Sequence, residues 1–179
     1  NNMSIQNGIQ NPGSFYTLGD SWSKTPPAGY SYNNLWSADN TVTGDINVGN
    51  DNPVVKTVYD PSPVGFKMPA SNAFTGFTAN GQNGGTMNVN GTDNSQTYQS
   101  NFGHNFWTSS SKTAAINFPA SGYRDGSDGL LRGELYGGWY FSAVPGNMNN
   151  GCFLHFNGSR VYPLRKDIRS YALAAHPVS

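Results

Sequence analysis

Six Asn-Gly pairs, at Asn7-Gly8, Asn80-Gly81, Asn83-Gly84, Asn90-Gly91, Asn150-Gly151 and Asn157-Gly158, punctuate a chain of 179 residues. Both residues of such a pair tolerate positive φ at low cost, so each pair signals a tight turn. A chain broken this often leaves little room for long helices. Its 22 glycines and an aromatic content of 13% point the same way, to many short strands carrying large rings. Hydrophobic residues at 36% and charged residues at 11% exclude a disordered polyelectrolyte. No apolar run approaches the ~18 residues that a membrane-spanning helix needs, so membrane insertion of this domain is not expected. Lys plus Arg and Asp plus Glu number ten each, and Asp167 interrupts the basic cluster "RKDIR" at 165–169, which argues against a nucleic-acid partner.

Length alone predicts a single domain spanning 1–179, with an N-terminal strand and loop collar at 1–53 and a core from 54 to 179. The collar holds a candidate strand at "SFYTL", an ordered loop at "SWSKTPPAGYSYNNLW" and a polar excursion over 37–53. The β-branched run "VVKTVY" at 54–59 predicts a strand leading into "DPSPVGFKMP", where Pro61 and Pro63 fix φ and Gly65 permits a turn. Ser71 can cap a helix starting near Asn72, which Gly76 and the β-branched Thr75 and Thr78 keep short. The Asn/Gly-rich segment 79–105 is expected to be a long loop containing one hairpin. Strands are predicted within 113–123, 138–143 and 152–162. In the last of these, Cys152, Leu154 and Phe156 alternate with Phe153, His155 and Asn157, the period of a half-buried strand. Asn157-Gly158 then turns the chain, Val161 continues the inner side, and Phe153, His155, Arg160 and Tyr162 fall together on the outer side.

Candidate chemistry is sparse. His104, His155 and His176 lack the spacing of a zinc site, and Asp125 and Asp128 in "DGSDG" read as acids in a turn without the pattern of a calcium loop. Cys152, flanked by large apolar residues, reads as a small core hydrophobe with a raised pKa, and "GSDG" lacks the context of a nucleophile elbow. Arg124 is expected to tie its loop to backbone carbonyls. No catalytic residue, metal or cofactor is expected. Trp22, Trp36 and Trp107 read as rings pinning loops to a core, and Trp139, after Gly137-Gly138, as a residue at the rim of the outer side.

The stretches "KTVYDPSPVGFKMPAS", "INFPASGYRDGSDGLL", "GGWYFSA", "FLHF" and "HPV" resemble the C-terminal domain of fimbrillin-like surface proteins of Bacteroidetes and the Fibrobacter succinogenes major paralogous domain. The similarity is most specific over 56–71 and 116–163. It implies an α+β, C-type-lectin-like fold of short twisted antiparallel strands with one or two short helices and extensive ordered loops. "FKMPASNAF" is similar to the helix entry of formylglycine-generating enzymes, which implies that the prolines stiffen scaffold. Ser62 and Pro177 stand where family members can carry cysteines, so the disulfide those would form is absent. Phe141, Ala143, Ala175 and His176 also depart from the family pattern.

Because bacterial and phage proteins diversified by retroelements display variable residues near the C-terminus of that fold, the resemblance marks 138–179 as the displayed part. It implies ligand-binding residues Trp139, Phe141, Asn147, Asn149, Asn150, Phe153, His155, Arg160 and Tyr162. The function implied is an extracellular, non-enzymatic adhesion domain on a cell surface or fimbria, anchored at the outer membrane. Its ligand would be a protein or glycan on a cell or phage target. The alternatives are a structural or tip subunit of a fimbria, whose partners would be fimbrial subunits, and a formylglycine-generating type of enzyme.

Overall fold

The computed structural model describes residues 10–11, 13–15, 28, 36–38, 52–91, 98, 102–146 and 150–179. A two-stranded antiparallel sheet is formed by β1 (Gly103–Trp107) and β2 (Ala115–Pro119). A five-stranded sheet follows, from β3 (Ser121–Arg124), β4 (Leu131–Glu134), β5 (Gly137–Pro145), β6 (Asn150–Asn157) and β7 (Arg160–Ile168), in the order β4-β3-β5-β6-β7. Neighbours run antiparallel except β3 and β5, which meet in parallel at Gly122 and Gly138.

The α+β, C-type-lectin-like expectation is corrected by these elements. Among the described residues 42% lie in strands or bridges and 7% are helical. The one helix bounded within them is a 3-10 helix, Ser71–Phe77. Ser71 does not cap it from outside: Ala70 is the N-cap, without a side-chain cap bond, and Ser71 is buried inside the element. The tighter helix has a physical reason. Ser71, Phe74 and Phe77 are its buried residues, and a spacing of three aligns on one side only at three residues per turn.

The core lies between one face of the large sheet and this helix with the small sheet. Phe74 and Phe77 meet Phe106 of β1 and Phe118 of β2, and all four pack with Tyr140, Leu154, Phe156 and Val161 from β5, β6 and β7. Phe77 and Phe106 stack with centroids 4.0 Å apart, and Phe118 meets Tyr140 edge-on at 4.9 Å. The Tyr140 hydroxyl donates to the Pro119 carbonyl at 2.6 Å, and burial pushes its phenol up to about 12. Cys152 is buried, as its place on the inner side of β6 predicts.

Two turn expectations resolve differently. Gly81, Gly84 and Gly91 do take positive φ, whereas Asn150-Gly151 opens β6 instead of turning the chain. Asn157-Gly158 does turn it, but by another device: the Asn157 Oδ1 accepts the backbone N–H groups of Ser159 and Arg160 at 3.0 Å each. Within 79–105 the expected hairpin is a short reversal, with Thr78 bridging Met87 and the Ala79 N–H donating to the Thr86 carbonyl.

The proline passage is organised from below by one cation and one carboxylate. Residues 54–59 form only an isolated bridge, Lys56 with Ser37, where a strand was expected. The Lys56 ammonium donates to the carbonyls of Ser62, Pro63 (2.9 Å) and Phe66 (2.7 Å). Asp60 accepts the Ser62 N–H at 2.8 Å through one oxygen and the Met68 N–H at 2.9 Å through the other. Gly65, at φ 84°, closes a turn in which the Phe66 N–H donates to the Pro63 carbonyl. Lys67 then pairs with Val178 through two backbone bonds of 2.8 and 2.9 Å, so the passage is tied to the C-terminal segment by hydrogen bonds.

Candidate functional site

The face of the large sheet opposite the core carries a row of rings, one from each of four adjacent strands. Register sets it: Trp139 of β5 lies opposite His155 of β6, and His155 lies opposite Tyr162 of β7. Trp139 and His155 stack at 4.4 Å, His155 and Tyr162 at 5.5 Å and nearly parallel. On the other side Tyr123 of β3 meets Trp139 at 4.8 Å, and Tyr171 meets Tyr123 at 5.2 Å. Cross-strand spacing places such rings in contact, and each contact contributes a few tenths to about 1 kcal/mol. Gly133 and Gly137 leave room for the row. A β-carbon on either would stand 2.7 Å from the six-membered ring of Trp139, which lies across them.

His155 is 8% exposed and sits in the middle of the row. Its Nδ1 lies 3.3 Å from the Gly138 carbonyl, which can only accept, so Nδ1 carries the proton and Nε2 is an acceptor. Burial, aided by the positive charge of Arg165, pulls its pKa from 6.5 to about 4, and the bond to Gly138 opposes this only in part. The imidazole is therefore neutral near pH 7. At the far end burial first, and then the carboxylates of Asp167 and Asp125, raise the Tyr171 phenol.

Two guanidinium groups converge on Tyr162. Arg160 donates to its hydroxyl at 3.4 Å, and the Arg165 guanidinium lies 5.6 Å from its ring centroid. Strand alternation would put residues 162 and 165 on opposite faces. A register shift opposite Phe153 to His155, at Pro163, inserts the extra step that returns Arg165 to the ring face. Proline suits this position because it has no N–H to leave unpaired.

Of the predicted site residues, Trp139, His155, Arg160 and Tyr162 are brought together. Phe153 and His155 share the face by register but are 3% and 8% exposed, so their expected display is corrected: with Leu154 and Phe156 also buried, β6 is covered on both faces. Phe141 packs edge-on against Trp36 at 5.4 Å beside the small cluster of Val54, Met68 and Ala143, which makes it a structural ring. Asn150 begins β6, and its carbonyl accepts from the Arg169 Nε at 2.9 Å. Asn147 and Asn149, like Trp22 and most of the collar, lie outside the described residues. Sequence reasoning missed Tyr123, Tyr171 and Arg165. Tyr123 could have been found by pairing "SGYR" beside "GGWY", since both strands place an aromatic residue just after glycine.

The acidic turn is internally engaged. Arg132 holds Asp125 at 3.3 Å and Asp128 at 2.5 Å, and Ser127 bonds to Asp125 through hydroxyl and backbone. Those bonds to Ser127, with the Arg132 charge behind them, hold the Asp125 carboxyl below its usual range. Arg124 donates to the Gly129 carbonyl at 3.1 Å, the loop-tying role expected of it.

No family model, no curated protein and no solved structure matches this chain.

Proposed function

We propose that the protein is an extracellular ligand-binding domain of a bacterial surface or fimbrial protein, acting without catalysis and recognising a protein or glycan on a cell or phage target. The observation that carries this reading is the row Tyr123, Trp139, His155 and Tyr162 with Arg160 and Arg165 at its end. Aromatic residues and arginine are the side chains that most often anchor recognition, and here a rigid sheet holds them. The resemblance of 56–71 and 116–163 to fimbrillin-like surface proteins supplies the location and the type of partner. Retroelement diversification of the displayed segment belongs to the same reading, with the exposed Arg160 and half-buried Tyr162 and Trp139 as positions that can vary. Buried Phe153 is not such a position, because changing a packed aromatic residue costs stability.

The test combines binding with population sequencing. Wild-type protein and the Trp139→Ala and Tyr162→Ala variants, each first shown to be folded, are compared for binding to target cells and to a glycan array. Loss of binding in both variants is expected. Undiminished binding in both would overturn the assignment of the face. Across isolates, substitutions concentrated at codons 139, 147, 149, 150, 160 and 162 are the mark of diversification, and a uniform segment removes it.

The fimbrial-subunit reading is favoured by β4. Among the described residues no strand pairs with its outer edge, and Leu130, Leu131, Leu135 and Tyr136 are 47–78% exposed around it. Filament formation at high concentration, abolished by Leu131→Lys, would support that reading.

A further inference from the structure

Resting on the binding reading above, the geometry points to a saccharide bearing a carboxylate as the ligand class, with its charge held by Arg160 and Arg165 beside Tyr162. The basic residues of the sheet differ in what they hold. Arg132 is matched by Asp125 and Asp128, Arg124 by the Gly129 carbonyl and Arg169 by the Asn150 carbonyl. Arg160 and Arg165 are both exposed, and among the described residues neither has a carboxylate within 4.0 Å. What they touch is neutral, the hydroxyl and the ring of Tyr162. A guanidinium presents a planar fork of donors suited to a carboxylate, and two such forks at one aromatic residue make an anion-binding end to the row.

The rest of the row favours a polyhydroxylated ligand over a peptide. The ring faces of Trp139, His155 and Tyr162 are spent on one another, so an apolar side chain finds no free flat surface between them. Tyr162 and Tyr171 bring hydroxyl groups that donate and accept. Peptide capture by strand addition is blocked along β7. Asn83 bonds to the Leu164 N–H and carbonyl at 2.9 and 3.1 Å, and the Gly84 N–H takes the Val161 carbonyl at 2.9 Å.

The experiment uses the whole chain in isothermal titration against oligogalacturonate and sialyllactose. Their controls are methyl-esterified oligogalacturonate, lactose and a polyglutamate peptide. Binding of a carboxylated saccharide is expected, weaker by about tenfold or more for its neutral counterpart and on Arg160→Gln or Arg165→Gln, and falling as salt is added. Both arginines are exposed, so circular dichroism of the variants should match wild type. If the neutral saccharide binds equally well and Trp139→Ala abolishes it, the carboxylate assignment fails while the binding face stands. If polyglutamate binds as tightly as the saccharides, the saccharide assignment fails. Binding of none of the probes, or binding indifferent to both arginine substitutions, overturns the inference outright.

Discussion

Protonation of His155 should be among the main acid sensitivities of this fold. The imidazole lies between Trp139 and Tyr162, where burial and then the nearby Arg165 guanidinium disfavour a second positive charge, and the Gly138 carbonyl at Nδ1 offsets them only in part. Its pKa is about 4 in the folded chain against 6.5 when free. Between those values the unfolded chain binds a proton that the folded one does not, so stability is full above 6.5 and falls as pH drops towards 4. The gap from 6.5 to about 4, at about 1.4 kcal/mol for each factor of ten, is worth roughly 3 kcal/mol. Urea unfolding at about pH 7 and about pH 4.5 measures it, with His155→Phe as the reference, since that variant keeps a ring in the stack and removes the titration. The wild type should lose roughly 2 to 3 kcal/mol more than the variant over that range. Equal losses would refute the argument, because the variant lacks only the His155 imidazole.

Three further outcomes follow from the packing. Gly138→Ala would place a β-carbon 2.2 Å from Cζ of the fully buried Phe156, and should cost about 1 to 3 kcal/mol in urea unfolding, whereas Gly76→Ala, with nothing within 4 Å, should change stability by less than about 1 kcal/mol. Lys56→Met removes three charge-assisted bonds to the carbonyls at 62, 63 and 66. Hydrogen exchange at Phe66 and Met68 should quicken, with a loss of about 1 to 2 kcal/mol. Phe77→Ala vacates the stack on Phe106 and the edge contact with Phe118, and should cost about 3 to 5 kcal/mol by thermal or urea unfolding.

What the sequence shows most clearly is the β6–β7 hairpin. Alternation over 152–157, a turn at Asn157-Gly158 and the shared side of His155 and Tyr162 all appear in the structure, because strand periodicity and a local side-chain cap are properties of neighbouring residues. The burial of Phe153 and His155 is not local. A half-polar strand predicts one wet face, but there His155 lies within the row of rings from β3, β5 and β7 and Phe153 lies in register with Phe141, which packs on Trp36; a histidine can join such a row when a carbonyl 17 residues away satisfies its Nδ1. Arg165 was hidden for a related reason: only the register shift at Pro163, a feature of the pairing with β6, turns it onto the ring face.

The helix shows the opposite failure, one the sequence could have prevented. Resemblance supplied an α+β frame and residue preference a helix capped by Ser71, whereas the spacing places Ser71, Phe74 and Phe77 three apart, with Thr75 able to bond back to the Asn72 carbonyl, as it does at 2.8 Å. An α-helix would rotate Phe77 about 120° away from Ser71, off the aromatic core, and lose its stack on Phe106. The demand of the core for both phenylalanines on one line is what selects the tighter helix. The same logic applies to the candidate site, where Gly133 and Gly137 matter for what their missing side chains admit: without that floor Trp139 could not lie across the sheet and meet His155, and the row would shrink to His155 stacked on Tyr162 beside its two arginines.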